Sequence, residues 1–174
     1  MRTHRLLAGL LAMPVVALAS TLIPHTLAQR AEASDRVVLV QVLSRTVQPA
    51  EGATPMKTLT RVMVGRELKG RGPQEFTIVQ LGGVHGAERV AIPGDASFEI
   101  GETAVAFVRC RLAADRCHLV GLGEGKLELK GEKIYAKDLM NGGWRVLTLD
   151  QLSREIAEPA RTVPANPKPG GVTR

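Results

Sequence analysis

A series of short apolar runs, separated by glycine and proline, constrains the fold more than any other feature of this sequence. The run from Arg36, RVVLVQVLSRTV, is almost continuously β-branched, which is typical of a buried or central strand. EFTIVQL (75–81) and KLELKGEKIYAKDL (126–139) alternate as half-buried strands do, and turn sequences such as KGRGP (69–73) separate the runs. Seven to nine such strands predict a mainly β fold, either a small antiparallel sandwich or a partly open barrel.

One helix is predicted near the C-terminus. Thr148 and Gln151 form a capping box at its start. Leu149, Leu152 and Ile156 then form an apolar stripe at helical spacing. We therefore expect a short amphipathic helix that packs on the β domain.

The two ends of the chain are predicted to lie outside the folded domain. The N-terminus has the pattern of a signal peptide, with two arginines, the apolar run LLAGLLAMPVVALA and small residues suited to cleavage. The last segment carries four prolines and two glycines without an apolar period, which is typical of a disordered tail. We predict a signal peptide over 1–28, one β-rich domain over 35–158 and a disordered tail over 159–174.

Cleavage of this signal peptide is compatible with three positions, after Ala19, Ala28 or Ala33, and the boundary at Ala28 is adopted. The apolar run of 14 residues is shorter than the roughly 20 that a spanning helix needs. No stable membrane span is therefore expected after cleavage. The chain is predicted to be exported, either to the periplasm or to the extracellular medium.

Composition argues against nucleic acid as a partner. The chain has 23 Lys and Arg against 17 Asp and Glu, and loss of the two signal-peptide arginines lowers the net charge from +6 to +4. The charges alternate in sign along the chain, as they do on an ordinary solvated surface. Aromatic residues make up only 3% of the chain, too few for a platform on which bases stack.

The two cysteines, Cys110 and Cys117, are expected to form a disulfide. They lie at the facing ends of two predicted strands, FEIGETAVAFVRC and CHLVGL, joined by a short loop. An exported chain meets an oxidising compartment, and the pair lacks the C-x-x-C spacing of metal-binding or redox thiols. The expected role of the bond is structural.

The stretch VQLGGVHGAERVAIPG (79–94) contains the candidate binding loop. A phosphate-binding loop places regularly spaced glycines at the start of a helix, but these glycines are spaced differently and a strand-like segment follows them. They are therefore predicted to build a tight connection between strands. Binding concentrates on loops held by a rigid scaffold. The predicted contact residues are Gly82, Gly83, His85 and Gly86, together with the loop 49–55.

The sequence lacks the motifs of a catalytic or metal centre. His85 and His118, the histidines left after cleavage, fall short of the three or four ligands that zinc takes. No serine lies in a G-x-S-x-G motif, and bridged cysteines offer no thiolate. Carboxylate pairs such as Glu99 with Glu102, or Glu124 with Glu128, are common on solvated β domains. No catalytic residue, metal or cofactor is predicted, and the chain is not expected to be an enzyme.

The segment 126–139 is the clearest predicted hairpin. With Gly131 and Glu132 as its turn, Leu129 lies opposite Ile134 on one face. Two interpretations of its lysines stay open: protection of an edge strand against aggregation, which is favoured, or an anion-binding patch. The lysines are Lys126, Lys130, Lys133 and Lys137.

Five segments between Arg36 and Lys130 follow one another in a recognisable order: VVLVQVLS, VGRELKG, VQLGGVHG, AIPGDASFEIGETAVAFV and HLVGLGEGKLEL. This order resembles a domain of uncharacterised secreted bacterial proteins. It is also distantly similar to netrin-like domains of the tissue-inhibitor-of-metalloproteinase type, which implies an OB-like barrel. In those inhibitors an N-terminal cysteine chelates the zinc of the protease, whereas no predicted cleavage leaves a cysteine at the N-terminus of this chain.

The hypothesis that the sequence favours is an exported, non-catalytic β domain that binds a protein or an envelope component. The alternative is an inhibitor or accessory factor of a secreted protease, which the similarity of strand order implies.

Overall fold

The computed structural model describes residues 25–113, 115–138 and 143–158. The predicted tail and most of the predicted signal peptide lie outside these residues. The described chain forms helices α1 (Leu27–Glu32) and α2 (Leu149–Ala157). Its strands are β1 (Arg36–Gln48), β2 (Lys57–Lys69), β3 (Glu75–Leu81), β4 (Gly83–His85), β5 (Glu88–Val90), β6 (Thr103–Ala113), β7 (Arg116–Leu119), β8 (Lys126–Lys130), β9 (Lys133–Asp138) and β10 (Gly143–Leu147).

Five of the strands close into a barrel. β1 pairs with β2 and β2 with β3, both antiparallel, and β3 then pairs with β7 in parallel. β7 pairs with β6, which returns to β1. The predicted mainly β, barrel-like fold with a C-terminal helix is confirmed, and the barrel is closed. The short parallel pair, Thr77 with Arg116 and Ile78 with Cys117, closes it.

The barrel wall formed by β1 and β6 is buried on both faces. Along β6, Ala104, Ala106 and Val108 belong to the core inside the barrel. The alternate residues Val105 and Phe107 belong to a second core outside it, against the two helices and a meander of β8, β9 and β10. Burial on both faces explains why the runs RVVLV and TAVAFV lack the usual alternation of apolar and polar residues.

Both helices cover this second core. α2 begins with the predicted capping box of Thr148 and Gln151. α1 lies ahead of the predicted domain start at residue 35 and packs beside α2, with Leu27 and Ala31 buried. In the part of the chain that is described, no helix has both the length and the apolar character needed to cross a membrane.

The predicted disulfide joins β6 to β7. Cys110 and Cys117 have an S–S distance of 2.04 Å. Because Arg109 pairs with His118, the two cysteines face each other directly across the ladder. The Cys110 amide donates a hydrogen bond to the Asp35 carboxylate at 2.7 Å, so the two cysteines form a non-hydrogen-bonded pair, the closer type of strand pair.

Replacing both cysteines with alanine should lower the free energy of unfolding by about 2.5 kcal/mol, because the cross-link removes loop-closure entropy from the unfolded chain. Urea titration under oxidising conditions measures this loss. A reductant should destabilise the parent chain by a similar amount and leave the double variant unchanged. An intact mass that does not fall by about 2 Da on oxidation would show that the bond does not form.

Candidate functional site

The glycine-rich stretch forms a small hairpin of β4 and β5 at the end of β3. Gly82 and Gly83 have φ values of 83° and 147° where the chain leaves β3, and Gly86, with φ 59°, lies in the turn between β4 and β5. The Gly82 amide donates to the Met56 carbonyl at 2.8 Å, and the buried Thr58 hydroxyl donates to the Gly82 carbonyl at 2.8 Å. The glycines thus let the backbone turn sharply and fix the base of the hairpin beside the start of β2.

The two predicted contact loops lie at the same end of the barrel. The loop 49–55 joins β1 to β2, is exposed throughout, and is closed by two backbone hydrogen bonds between Glu51 and Thr54. Lys57 at the start of β2 pairs with both Gln48 and Leu81. The loop 49–55 therefore lies next to the base of the β4–β5 hairpin.

A groove of 290 Å³ lies beside the hairpin. It is lined by the ends of β1, β2 and β3, by the hairpin, and by the strand-free segment 91–97. A second cleft of 150 Å³ continues from it, since Gln80, Leu81, Ile92 and Asp95 line both. The two adjoining clefts are together named the hairpin groove.

The segment 91–97 is firmly held although it has no regular secondary structure. The Gln80 side chain donates to the Ala96 carbonyl at 2.7 Å, and the Gly123 amide donates to the Gly94 carbonyl at 2.8 Å. Phe98, directly after the segment, is buried in the barrel core. This side of the hairpin groove is therefore preformed.

The hairpin groove combines exposed apolar side chains with charges of both signs. Leu81 and Val84 are 54% and 57% exposed, and Val90 is 39% exposed. Arg45 and Asp95 also line the groove. Large apolar side chains clustered on a surface mark binding sites more often than single exposed ones do. None of these side chains is among the contact residues predicted from the sequence.

The two predicted histidines have different positions relative to the groove. His85 lies exposed on β4 and is not among the residues that line either cleft, whereas His118 of β7 lines the second cleft. His118 Nδ1 lies 2.9 Å from the Val79 carbonyl, and since a carbonyl only accepts, Nδ1 is the nitrogen that donates. Within the described residues, no group of three or more His, Cys, Asp or Glu side chains is placed to hold a metal ion.

The carboxylate pairs noted in the sequence take part in structural contacts. Glu102 forms an ion pair with Lys126 and also accepts a hydrogen bond from the Glu99 amide at 3.0 Å. Glu124 lies 3.5 Å from the buried Arg30 of α1. Arg30 donates to the Glu124 carbonyl as well, so this contact ties α1 to the connection between β7 and β8.

The predicted lysine hairpin has the expected register, with Leu129 opposite Ile134 and a turn at Gly131. Lys126 is an exception among its lysines, because it is 12% exposed, donates to the Ser97 carbonyl and lies 4.8 Å from the centre of the Phe98 ring. The edge-strand interpretation is wrong for the lysines of β9, Lys133 and Lys137. β10 pairs with β9 on the side away from β8, so β9 is an inner strand.

No protein-family model matches the chain, and no curated protein matches it. Two features of the hairpin groove bear on its ligand. One is its composition of two adjoining clefts. The other is its boundary with a strand, β5, whose outer edge pairs with no other strand of the described chain.

Proposed function

We propose that this chain is an exported, non-catalytic binding domain that holds an extended segment of a partner protein in the hairpin groove. The observation that carries the proposal is the juxtaposition of two adjoining, partly apolar clefts with the unpaired edge of β5. An extended segment that adds to a free strand edge gains main-chain hydrogen bonds for affinity and side-chain pockets for specificity.

The shape of the groove favours an extended chain over a compact small molecule. The two clefts, of 290 and 150 Å³, share four lining residues, so a ligand that fills both has to extend from one cleft into the other. Small-molecule sites, in contrast, enclose most of their ligand in a single cavity. Since the segment 91–97 is already held in place, little ordering free energy opposes binding.

The side chains of the groove indicate what the bound segment contains. Leu81, Val84 and Val90 offer apolar contacts along its length. Arg45 and Arg89 outnumber Asp95 among the lining residues, which favours an acidic residue in the partner. We therefore expect a segment in which apolar and acidic residues alternate.

One further observation supports export. The Cys110–Cys117 disulfide is compatible with an oxidising compartment.

Site-specific photo-crosslinking tests the proposal. A photoreactive residue placed at Val84 should give a discrete protein adduct with envelope or culture-medium fractions of the producing cells. The matched control is Ile100, which is 69% exposed and does not line the groove. Adduct from Val84 should disappear when Val90→Glu places a charge in the groove, and none should form from Ile100.

The crosslinked segment of the partner should then bind the purified domain as a synthetic peptide. We expect Val90→Glu to weaken that binding at least tenfold while leaving the melting temperature unchanged, because Val90 is partly exposed. Equal adducts from positions 84 and 100, or an unaltered peptide affinity in the variant, would contradict the proposal. A secreted protease as the crosslinked partner would make the domain an inhibitor or accessory factor.

A further inference from the structure

The outer face of the β8–β10 meander forms a second, separate surface. Its inner face packs on the core, where Ile134, Ala136 and Leu147 are buried. Residues that alternate with these point away from the core. They define the aromatic–lysine face: Glu128, Lys130, Lys133, Tyr135, Lys137, Trp144 and Val146.

This face holds the single tryptophan and the single tyrosine of the chain. Trp144 is 70% exposed and Val146 is 50% exposed. Trp144 lies opposite Lys137 and Val146 opposite Tyr135, so the two rings are diagonal neighbours on one sheet surface. Exposed apolar side chains on an open strand such as β10 favour aggregation, and this cost is tolerated where the surface has a use.

The charge of this face is positive, with three lysines against one glutamate. Lys130 forms an ion pair with Glu128 at 2.9 Å and lies 5.4 Å from the centre of the Tyr135 ring. The hydrogen bond with Lys130 lowers the pKa of Glu128 below its ordinary value. Lys133 and Lys137 form no ion pair with any residue that the structure describes, and their place on an inner strand removes edge protection as their explanation.

We infer that the aromatic–lysine face binds an acidic polysaccharide. Sugar rings offer flat C–H faces that stack on Trp144 and Tyr135, while their carboxylates are attracted to Lys133 and Lys137. A linear polymer matches a sheet surface that is open at the β10 edge. Aromatic anchors at a bilayer interface insert their rings among the lipids. The Tyr135 ring, in contrast, is half-buried and packs next to Lys130 on the sheet surface. The observations therefore favour a polymer over an anionic lipid.

Trp144 is the only tryptophan of the chain, so tryptophan fluorescence reports directly on binding at the aromatic–lysine face. Adding a polyuronate such as alginate should shift tryptophan emission to shorter wavelength and reduce quenching by acrylamide. Dextran, a neutral polymer of similar length, should do neither. Salt at about 1 M, where the Debye length is about 3 Å, should largely reverse the effect.

Charge variants separate this surface from net charge in general. Lys133→Gln and Lys137→Gln should each weaken polyuronate binding about fivefold, while Glu128→Gln, which releases Lys130, should strengthen it about threefold. Lys57→Gln, on β2 of the barrel, removes the same charge and should leave the affinity unchanged. Trp144→Ala should weaken polyuronate binding about tenfold. This affinity is measured from the retardation of the domain in a native gel that contains the polymer.

Three outcomes would overturn the inference: no response of the parent chain to polyuronate, a loss with Lys57→Gln equal to that with Lys137→Gln, or binding to phosphatidylglycerol vesicles without binding to the polymer. Val90→Glu should leave polyuronate binding intact. Failure of the peptide site in the hairpin groove and failure of the aromatic–lysine face are thus distinguishable.

Discussion

A chain that begins at Gln29 should have a free energy of unfolding about 4 kcal/mol lower than a chain that begins at Ser20. Cleavage after Ala28, the predicted boundary, produces the first chain, and cleavage after Ala19 produces the second. The difference arises because α1 is part of the folded domain. Leu27 is 5% exposed in the core outside the barrel, and its removal alone costs roughly 2–3 kcal/mol.

The loss of the helix cap adds to this cost. The Thr26 hydroxyl accepts from the Gln29 amide at 3.2 Å, and the Gln29 side chain accepts from the Thr26 amide at 2.9 Å. Such a cap contributes about 1 kcal/mol. The shorter chain also loses the His25 carbonyl, which accepts from Arg30 at 3.1 Å. Burial lowers the pKa of Arg30, because it disfavours the charged form of the guanidinium. Loss of the His25 carbonyl leaves this buried charge with one hydrogen-bond acceptor fewer.

Urea unfolding of the two chains measures the effect, and point variants of the longer chain locate it. Leu27→Ala should lower its stability by about 2.5 kcal/mol and Thr26→Ala by about 1 kcal/mol. We accordingly expect any cleavage of the chain in cells to occur before Thr26, which the intact mass of the purified protein would show. A mature chain that begins at Gln29 and is as stable as the longer one would contradict the role given to α1.

Features that depend on local pattern could be predicted from the sequence. Several elements can each be recognised within a stretch of about ten residues. They are the buried strands from Arg36 and Thr103, the capped helix α2 and the hairpin turn at Gly131. The disulfide followed from two strands whose facing ends carry cysteines. In each case apolar spacing, capping or turn chemistry acts over a distance shorter than the element itself.

Features assembled from distant segments could not be predicted. α1 has six residues, too few for an apolar period, and its first two residues fall within the predicted signal peptide. The hairpin groove joins β1, β2 and β3 to the irregular segment 91–97, whose position depends on contacts with Gln80 and Gly123. Similarly, β9 became an inner strand through its pairing with β10, which alternation along 126–139 does not reveal.

Gly82→Ala should destabilise the domain by about 3 kcal/mol, whereas Gly86→Ala should cost about 1 kcal/mol. Both glycines have positive φ, 83° and 59°, so both variants strain the backbone in a similar way. They differ in their surroundings. A Cβ atom at Gly82 would overlap the Val90 carbonyl oxygen and lie 3.1 Å from its carbon, whereas a Cβ atom at Gly86 meets nothing within 4 Å.

This matched pair separates backbone strain from close approach, because only the Gly82 variant pushes β5 away from the end of β3. Urea titration should therefore show a gap of about 2 kcal/mol between the two variants. The same displacement opens the hairpin groove, so Gly82→Ala should also lose the crosslink from Val84 while Gly86→Ala keeps it. Equal stability losses would show that the hairpin moves freely at its base, and a mobile hairpin would not be a preformed wall for a bound segment.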